Sequence, residues 1–278
     1  MARKIGFWIL AAVITVGASI YQRMTGPTHA KVLKTEIDGT GYAFRLPRSG
    51  GESDCEVVLK NVPPQMSASL FWKRYPSDDA FTETVMTRGD GTLSAFLPVQ
   101  PPAGKLAYYL TISQTEESQG MVSHATYIYF QDQPLIIRFK GDVPAWLLIL
   151  HILLMFLSML LGAYALLCAL AGMPQYRKYV ALAFWIILAG GFVLGPLVQY
   201  HAFGVYWSGF PMGGDLTDNK TLLAMLALLF AVATRKFRWN RWATVAAVLV
   251  MFAVFSIPHS LNGSELDHAT GRVITSDR

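Results

Sequence analysis

Little in this chain is charged, and less is cysteine. Only 15% of its 278 residues are Asp, Glu, Lys or Arg, and 53% are hydrophobic. An average soluble domain carries about 25% charged residues, so the composition reads as that of a membrane protein. The two cysteines, Cys55 and Cys168, form neither a CxxC nor a CxxCH, which excludes a dithiol redox motif, a c-type haem attachment and a zinc ribbon. The formal charge of +5 is spread along the chain without a basic cluster interleaved with aromatics; a nucleic-acid partner is not expected. A P-loop, a G-x-S-x-G, a paired-carboxylate signature and the intramembrane charge ladder of a proton pump are all missing. Enzyme classes that depend on those features are disfavoured. There is no internal repeat, low-complexity segment or heptad pattern.

What is present is a set of long apolar runs: Ile5–Ile20, Ala145–Leu170, Tyr179–Val198, Thr221–Thr234 and Trp242–Ile257. A bilayer-spanning helix needs roughly 20 apolar residues, with a lower limit near 17. The second and third runs meet this outright. The fourth and fifth qualify once their first turns, from Thr217 and Asn240, lie at the interface. The first follows Met1-Ala-Arg-Lys4 and suits a signal peptide or a signal anchor. No clean A-x-A site precedes Tyr21, which favours the retained anchor.

Between the first two runs lie about 120 residues of ordinary globular composition, enough for one domain. Period-two alternation recurs at Gly41–Leu46, Cys55–Leu59, Ser69–Tyr75, Leu93–Leu97, Ala107–Ser113 and Thr126–Phe130, and Leu135–Lys140 adds an Ile-rich strand. Gly, Pro and Asp clusters punctuate them. Strands at this spacing predict an immunoglobulin-like sandwich. The stretch from Leu93 to Pro98, followed by PPAGKLAYYLTI, resembles the late hairpin of early-set immunoglobulin-like modules that accompany carbohydrate enzymes. Such modules also mediate protein contacts, and with Trp72 as the only tryptophan of the domain a glycan platform is not the reading preferred here.

The expected architecture is therefore an α-helical membrane bundle plus an all-β domain. It divides into an anchor at 1–25, a periplasmic β-sandwich at 26–143, a four-helix membrane domain at 144–260 and a periplasmic tail at 261–278. Arg177 and Lys178 fall in one short connection and Arg235, Lys236, Arg238 and Arg241 in another, against Lys220 alone in the intervening one. The positive-inside rule then puts the N-terminus in the cytoplasm and the sandwich and C-terminus outside. Cys55 and Cys168 end on opposite sides of the membrane and are not expected to pair.

The connection Gly195–Thr221, GPLVQYHAFGVYWSGFPMGGDLTDNKT, is too long and too polar for a plain link between two spans. In the expected topology His151, His201 and His259 reach one membrane face, along with Asp215, Asp218, Lys220, Glu265 and Asp267. Ionisable groups at membrane depth are expensive and mark sites, and imidazole is the commonest metal ligand. The leading expectation is a Cu, Zn or Fe ion or a b-type haem on His151, His201 and His259, with the acids in support. Gly209, Gly213 and Gly214 would fold the backbone tightly over a ligand or over neighbouring helices. Histidines at helix ends also serve as plain interfacial residues, and Thr217 or Asp218 as a plain helix cap alongside an Asp–Lys ion pair. Gly190-Gly191 and Gly195-Pro196 read as close helix packing or a kink.

The strings YQRMTGPTH, QPPAGKLAYY, IIRFKGDVPAW, GDLTDNKTL and IPHSLNGSELD together resemble a group of bacterial inner-membrane proteins. That group has an N-terminal anchor, a periplasmic domain and four further spans. The resemblance implies a bacterial plasma membrane and brings no activity with it. Three functions remain open from sequence: a metal- or haem-binding accessory subunit of a periplasm-facing membrane complex, a non-catalytic scaffold whose sandwich meets membrane or periplasmic proteins, and a small-solute or quinone-binding membrane protein.

Overall fold

A computed structural model describes residues 2–118, 121–259 and 263–275. Its contacts divide the chain into two compact units, one holding the helices and the other holding Thr28–Asp142 together with Glu265–Ile274.

In the helical unit, α1 (Ala2–Thr25), α2 (Ala145–Leu170), the composite helix Tyr176–Phe203 and α5 (Leu216–Ala233) are long and apolar enough to cross a membrane. The fifth apolar helix, α6 (Asn240–Ser256), is shorter at 17 residues. α2 coincides with its hydrophobic run and α5 and α6 end within a residue of theirs, while α1 and the composite helix extend past theirs at both ends. A helix satisfies its backbone groups within the segment, as an apolar medium requires. The composite helix consists of α3 (Tyr176–Ile187), a π segment (Leu188–Leu194) and α4 (Gly195–Phe203).

Glycines explain how closely the middle helices approach. A Cβ on Gly190 would lie 2.8 Å from Leu154 Cβ of α2, and one on Gly191 would lie 2.8 Å from Thr221 Cγ2 of α5. The pair is thus a packing device, in the place the sequence indicated. Ser158 Oγ of α2 donates to the Ala183 carbonyl of α3 at 2.9 Å, an interhelical bond between buried positions. α1 is built into this unit. Ala11 is fully buried, Trp8 stacks on Tyr164 at 4.0 Å, and Gln22 Nε2 donates to the Phe255 carbonyl of α6 at 2.7 Å.

The β unit is sandwich-like. Its larger sheet runs β3 (Ser49–Gly50), β11 (Leu135–Phe139), β9 (Lys105–Ser118), β5 (Met66–Tyr75) and β6 (Thr82–Val85), with β10 (Met121–Tyr129) also paired to β9. A second sheet runs β4 (Cys55–Lys60), β8 (Thr92–Leu97) and β7 (Thr87–Arg88), and β1 (Lys31–Ile37) forms a hairpin with β2 (Thr40–Leu46). The pleat sends alternate side chains to opposite faces: Leu93, Ala95 and Leu97 of β8 are buried, while Phe96 is exposed. One core unites Phe44, Leu59, Leu70, Leu93, Tyr108 and Phe139 from both sheets and the hairpin. The Tyr108 hydroxyl donates to the Pro47 carbonyl at 2.7 Å, and burial pushes its pKa far above the ordinary phenol value.

The expected tail contains secondary structure. β12 (Ser264–Asp267) and β13 (Arg272–Thr275) form a hairpin, and the Leu266 N–H donates to the Ala103 carbonyl of the β unit at 3.2 Å. Polar alternation over four residues is too weak a pattern to announce a strand from sequence.

Candidate functional site

The loop between α4 and α5 is organised by two carboxylates. Asp215 caps α5: its Oδ1 accepts from the N–H groups of Thr217 at 2.8 Å and Asp218 at 3.3 Å, satisfying donors that the helix start leaves open. Its Oδ2 accepts from the Ser264 N–H at 3.0 Å and the Ser264 hydroxyl at 3.3 Å. Asp218 is a hub. Its Oδ2 accepts from the N–H of Ser208 at 2.7 Å, the N–H of Gly209 at 3.1 Å, Gln199 Nε2 at 3.1 Å and the Ser208 hydroxyl at 3.3 Å. Asn219 Oδ1 takes the Phe210 N–H at 2.6 Å. The first turn of α5 thereby replaces water for the loop backbone.

This contact sets the glycine requirement. A Cβ on Gly209 would stand 2.6 Å from Asp218 Cβ and 2.9 Å from Asn219 Oδ1, so only glycine lets the loop reach its acceptors. Gly213 closes the following turn through its N–H on the Gly209 carbonyl at 2.9 Å, and Gly214 is exposed. The tight backbone therefore folds over α5 itself.

The three histidines have different surroundings. His151 of α2 is half-buried, and its Nδ1 lies 2.9 Å from the Gly190 carbonyl. That carbonyl also receives the Gly195 N–H across the π segment. Since a carbonyl only accepts, Nδ1 carries a proton, so the neutral form of the ring has its lone pair at Nε2. No described group bonds to that Nε2.

His259 stands in the turn after α6 with surface exposed, within charge–charge reach of Lys220 and His151. Protein crowding around that turn desolvates it, and with these two neighbouring bases lowers its pKa below the ordinary imidazole value. Its exposed surface means it is not sealed from ligand. Lys220 of α5 is only 2% exposed, and its Nζ donates to the Ile257 carbonyl at 2.6 Å. Gln22 Nε2 reaches the same carbonyl at 3.4 Å. His201, by contrast, is exposed at the end of α4 with its ring steeply inclined to that of Tyr200.

The supporting acids do not surround the imidazoles either. Asp215 spends its oxygens on the start of α5 and on Ser264, and Asp218 spends Oδ2 on Gln199, Ser208 and Gly209. Glu265 and Asp267 belong to the β unit, where Glu265 pairs with Lys105 at 2.8 Å. Asp267 accepts from Thr270 Oγ1 at 2.6 Å and from the Ala269 N–H at 2.9 Å, bonds that hold its carboxyl below the usual range. Among the described residues no group of three His, Cys, Asp or Glu is positioned to hold a metal ion.

Sequence reasoning missed Ser208, Gln199 and Ser264 as partners of the carboxylates, and it missed the burial of Lys220. Small polar residues carry no periodic signal. The one usable hint was the spacing of Asp215, Asp218 and Asn219 around a helix start. Comparison with protein-family models, with curated proteins and with solved structures returns no match.

Proposed function

We propose that this chain is an integral membrane binding protein whose helical unit seats a small hydrogen-bonding ligand at His151, beside Lys220 and His259. The observation that carries the reading is the His151 ring. Its Nδ1 is fixed on the Gly190 carbonyl within a π segment, and its Nε2 has no partner among the described residues. π segments inside α-helices recur at functional sites. A ligand hydroxyl would donate to Nε2. This is the small-solute reading, and it replaces the three-histidine metal centre as the leading one. The third basic group near His151 and His259 is an ammonium, which repels a metal cation; Asp215 is engaged by the start of α5 and Ser264, and Asp218 Oδ2 by the loop.

One observation favours a second reading. A ring N–H held by a backbone carbonyl is also the usual support of a metal-ligating imidazole. His151 with His259 would then hold a haem iron or a copper ion, and the protein would be an accessory subunit of a periplasm-facing complex. The wider setting is common to both readings: a bacterial inner membrane, orientation by the Lys and Arg bias of the connections, and an immunoglobulin-like periplasmic domain that meets protein partners.

Metal analysis with an absorption spectrum, alongside tryptophan-fluorescence titration with duroquinol, separates the readings. Both are run on detergent-purified wild type, His151→Ala and His201→Ala. The small-solute reading expects metal-free protein and a saturable quench lost only in His151→Ala. Stoichiometric metal or a Soret band lost in His151→Ala transfers the assignment to the metal reading. If all three proteins are metal-free and bind alike, His151 is an ordinary packing residue.

A further inference from the structure

Among the described residues, Lys220 is the buried ionisable side chain whose charge the chain itself leaves most poorly matched. Asp218 gathers four donors on one oxygen, Asp215 collects donors on both of its oxygens, and Glu265 has Lys105. Lys220, 2% exposed, has a single hydrogen bond, to the neutral carbonyl of Ile257. An ammonium carries three donors. No carboxylate of the described residues stands within ion-pair distance of Nζ. Asp215 is within charge–charge reach, but its oxygens face Thr217, Asp218 and Ser264.

The surroundings deepen the imbalance. The Gly190–Gly191 step brings α2 and α5 together: His151 bonds to Gly190, while Gly191 packs on Thr221, the residue next to Lys220. His259, two residues beyond Ile257, is the other near base. Three nitrogen bases thus gather at one end of the helical unit, and the carboxylates nearest to them are already engaged. The end of α6 contributes only the partial negative charge of its last carbonyls. Buried charges are retained where they are paired.

We infer that Lys220, with His259 beside it, is the recognition point for an anionic oxygen group, a carboxylate or a phosphate, carried by the ligand of this site. The inference rests on the site proposed above and specifies its ligand. The anionic group supplies the missing counter-charge to Lys220 while His151 Nε2 takes a hydroxyl of the same molecule. A soluble small anion and an anionic lipid headgroup share this chemistry.

The test uses the full chain in phosphatidylcholine nanodiscs. Inorganic phosphate and succinate are titrated while melting is followed, and a parallel set of discs contains phosphatidylglycerol. Lys220 acylation by acetic anhydride is read by peptide mass spectrometry in every arm. Wild type should melt higher with a saturable dependence on the anion, and Lys220 should be protected from acylation. Lys220→Met and Lys220→Gln should bind about tenfold more weakly or worse, while His201→Ala stays as wild type. Protection by phosphate or succinate identifies a soluble anion, and protection by phosphatidylglycerol alone identifies a headgroup.

Anion binding that is unchanged in both Lys220 variants, or acylation of wild-type Lys220 that no anion slows, overturns the inference. The acylation arm needs no variant, and wild-type Lys220 that resists acylation even in anion-free discs overturns the inference as well. A wild type that ignores every anion yet binds duroquinol through His151 removes the inference and leaves the proposed function standing. Binding of neither removes both.

Discussion

Two polar groups two residues apart on α5 have opposite environments. Asp218 is surrounded by the protein's own donors, and one of its oxygens organises the loop from Gln199 to Gly209. Lys220 is as deeply buried, yet a single carbonyl is its hydrogen-bond partner. Both look alike in sequence, as charged residues at the start of a membrane helix. The difference teaches that burial by itself does not mark a binding group. A buried charge that the chain has saturated is architecture, and one that it has left short of partners is available to something else.

Substitution sharpens this contrast. Asp218→Ala should have the largest effect, because it strands the N–H groups of Ser208 and Gly209 along with Gln199. A loss of about 3 kcal/mol is expected from bonds to a charged acceptor, seen as a lower melting temperature in detergent with cleavage by protease in the loop at 204–214. A variant that melts like wild type would remove the distinction between the two residues. Gly209→Ala comes next. Its methyl enters the space of Asp218 Cβ and Asn219 Oδ1, and overpacking of this kind costs about 1–3 kcal/mol. Gly214→Ala, at an exposed glycine, should cost less in the same melt.

Tyr108→Phe extends the comparison to the β unit. It removes the donor to the Pro47 carbonyl and should cost about 1 kcal/mol in the unfolding of that unit, followed by near-ultraviolet circular dichroism. Lys220→Met is the smallest in stability. It deletes a buried charge without a counter-ion, and Gln22 still reaches the Ile257 carbonyl. Melting in the absence of ligand should be unchanged or slightly raised, in contrast to Asp218→Ala. A large fall in melting would mean that Lys220 is architectural like Asp218.

The anchor question belongs to the same logic. Trp8 on Tyr164, buried Ala11 and Gln22 on the Phe255 carbonyl are interior contacts, which a cleaved leader would leave vacant. Intact mass of the purified protein should therefore include α1, and a mass beginning at or near Tyr21 would refute this.

Much of the local structure was legible. The run expected at Ala145–Leu170 is the helix Ala145–Leu170, and the strands expected at Cys55–Leu59 and Leu93–Leu97 appear within a residue at either end. The strand Lys31–Ile37 was missed because its inward positions are broken by Thr35, whose hydroxyl is matched by Tyr129 from a distant strand. The candidate site was legible only in part. The sequence brought three histidines to one end of a bundle by topology, whereas His151 and His259 come within charge–charge reach of each other and no group of three ligands forms among the described residues.

The sequence by itself determined where the chain is apolar enough to cross a membrane, where it alternates as a sheet, and where glycines permit close approach. Those properties follow from residues within one or two turns or pleats of each other. Only the tertiary structure decided which carboxylates are consumed by the loop, which imidazole keeps a free nitrogen, and that Lys220 is buried without a counter-charge. Such facts depend on partners 10 to 40 or more positions away, as with Asp218 and Ser208, His151 and Gly190, or Lys220 and Ile257. Hydrogen-bond saturation is a property of helix ends brought together laterally, and no periodicity along a single segment encodes it.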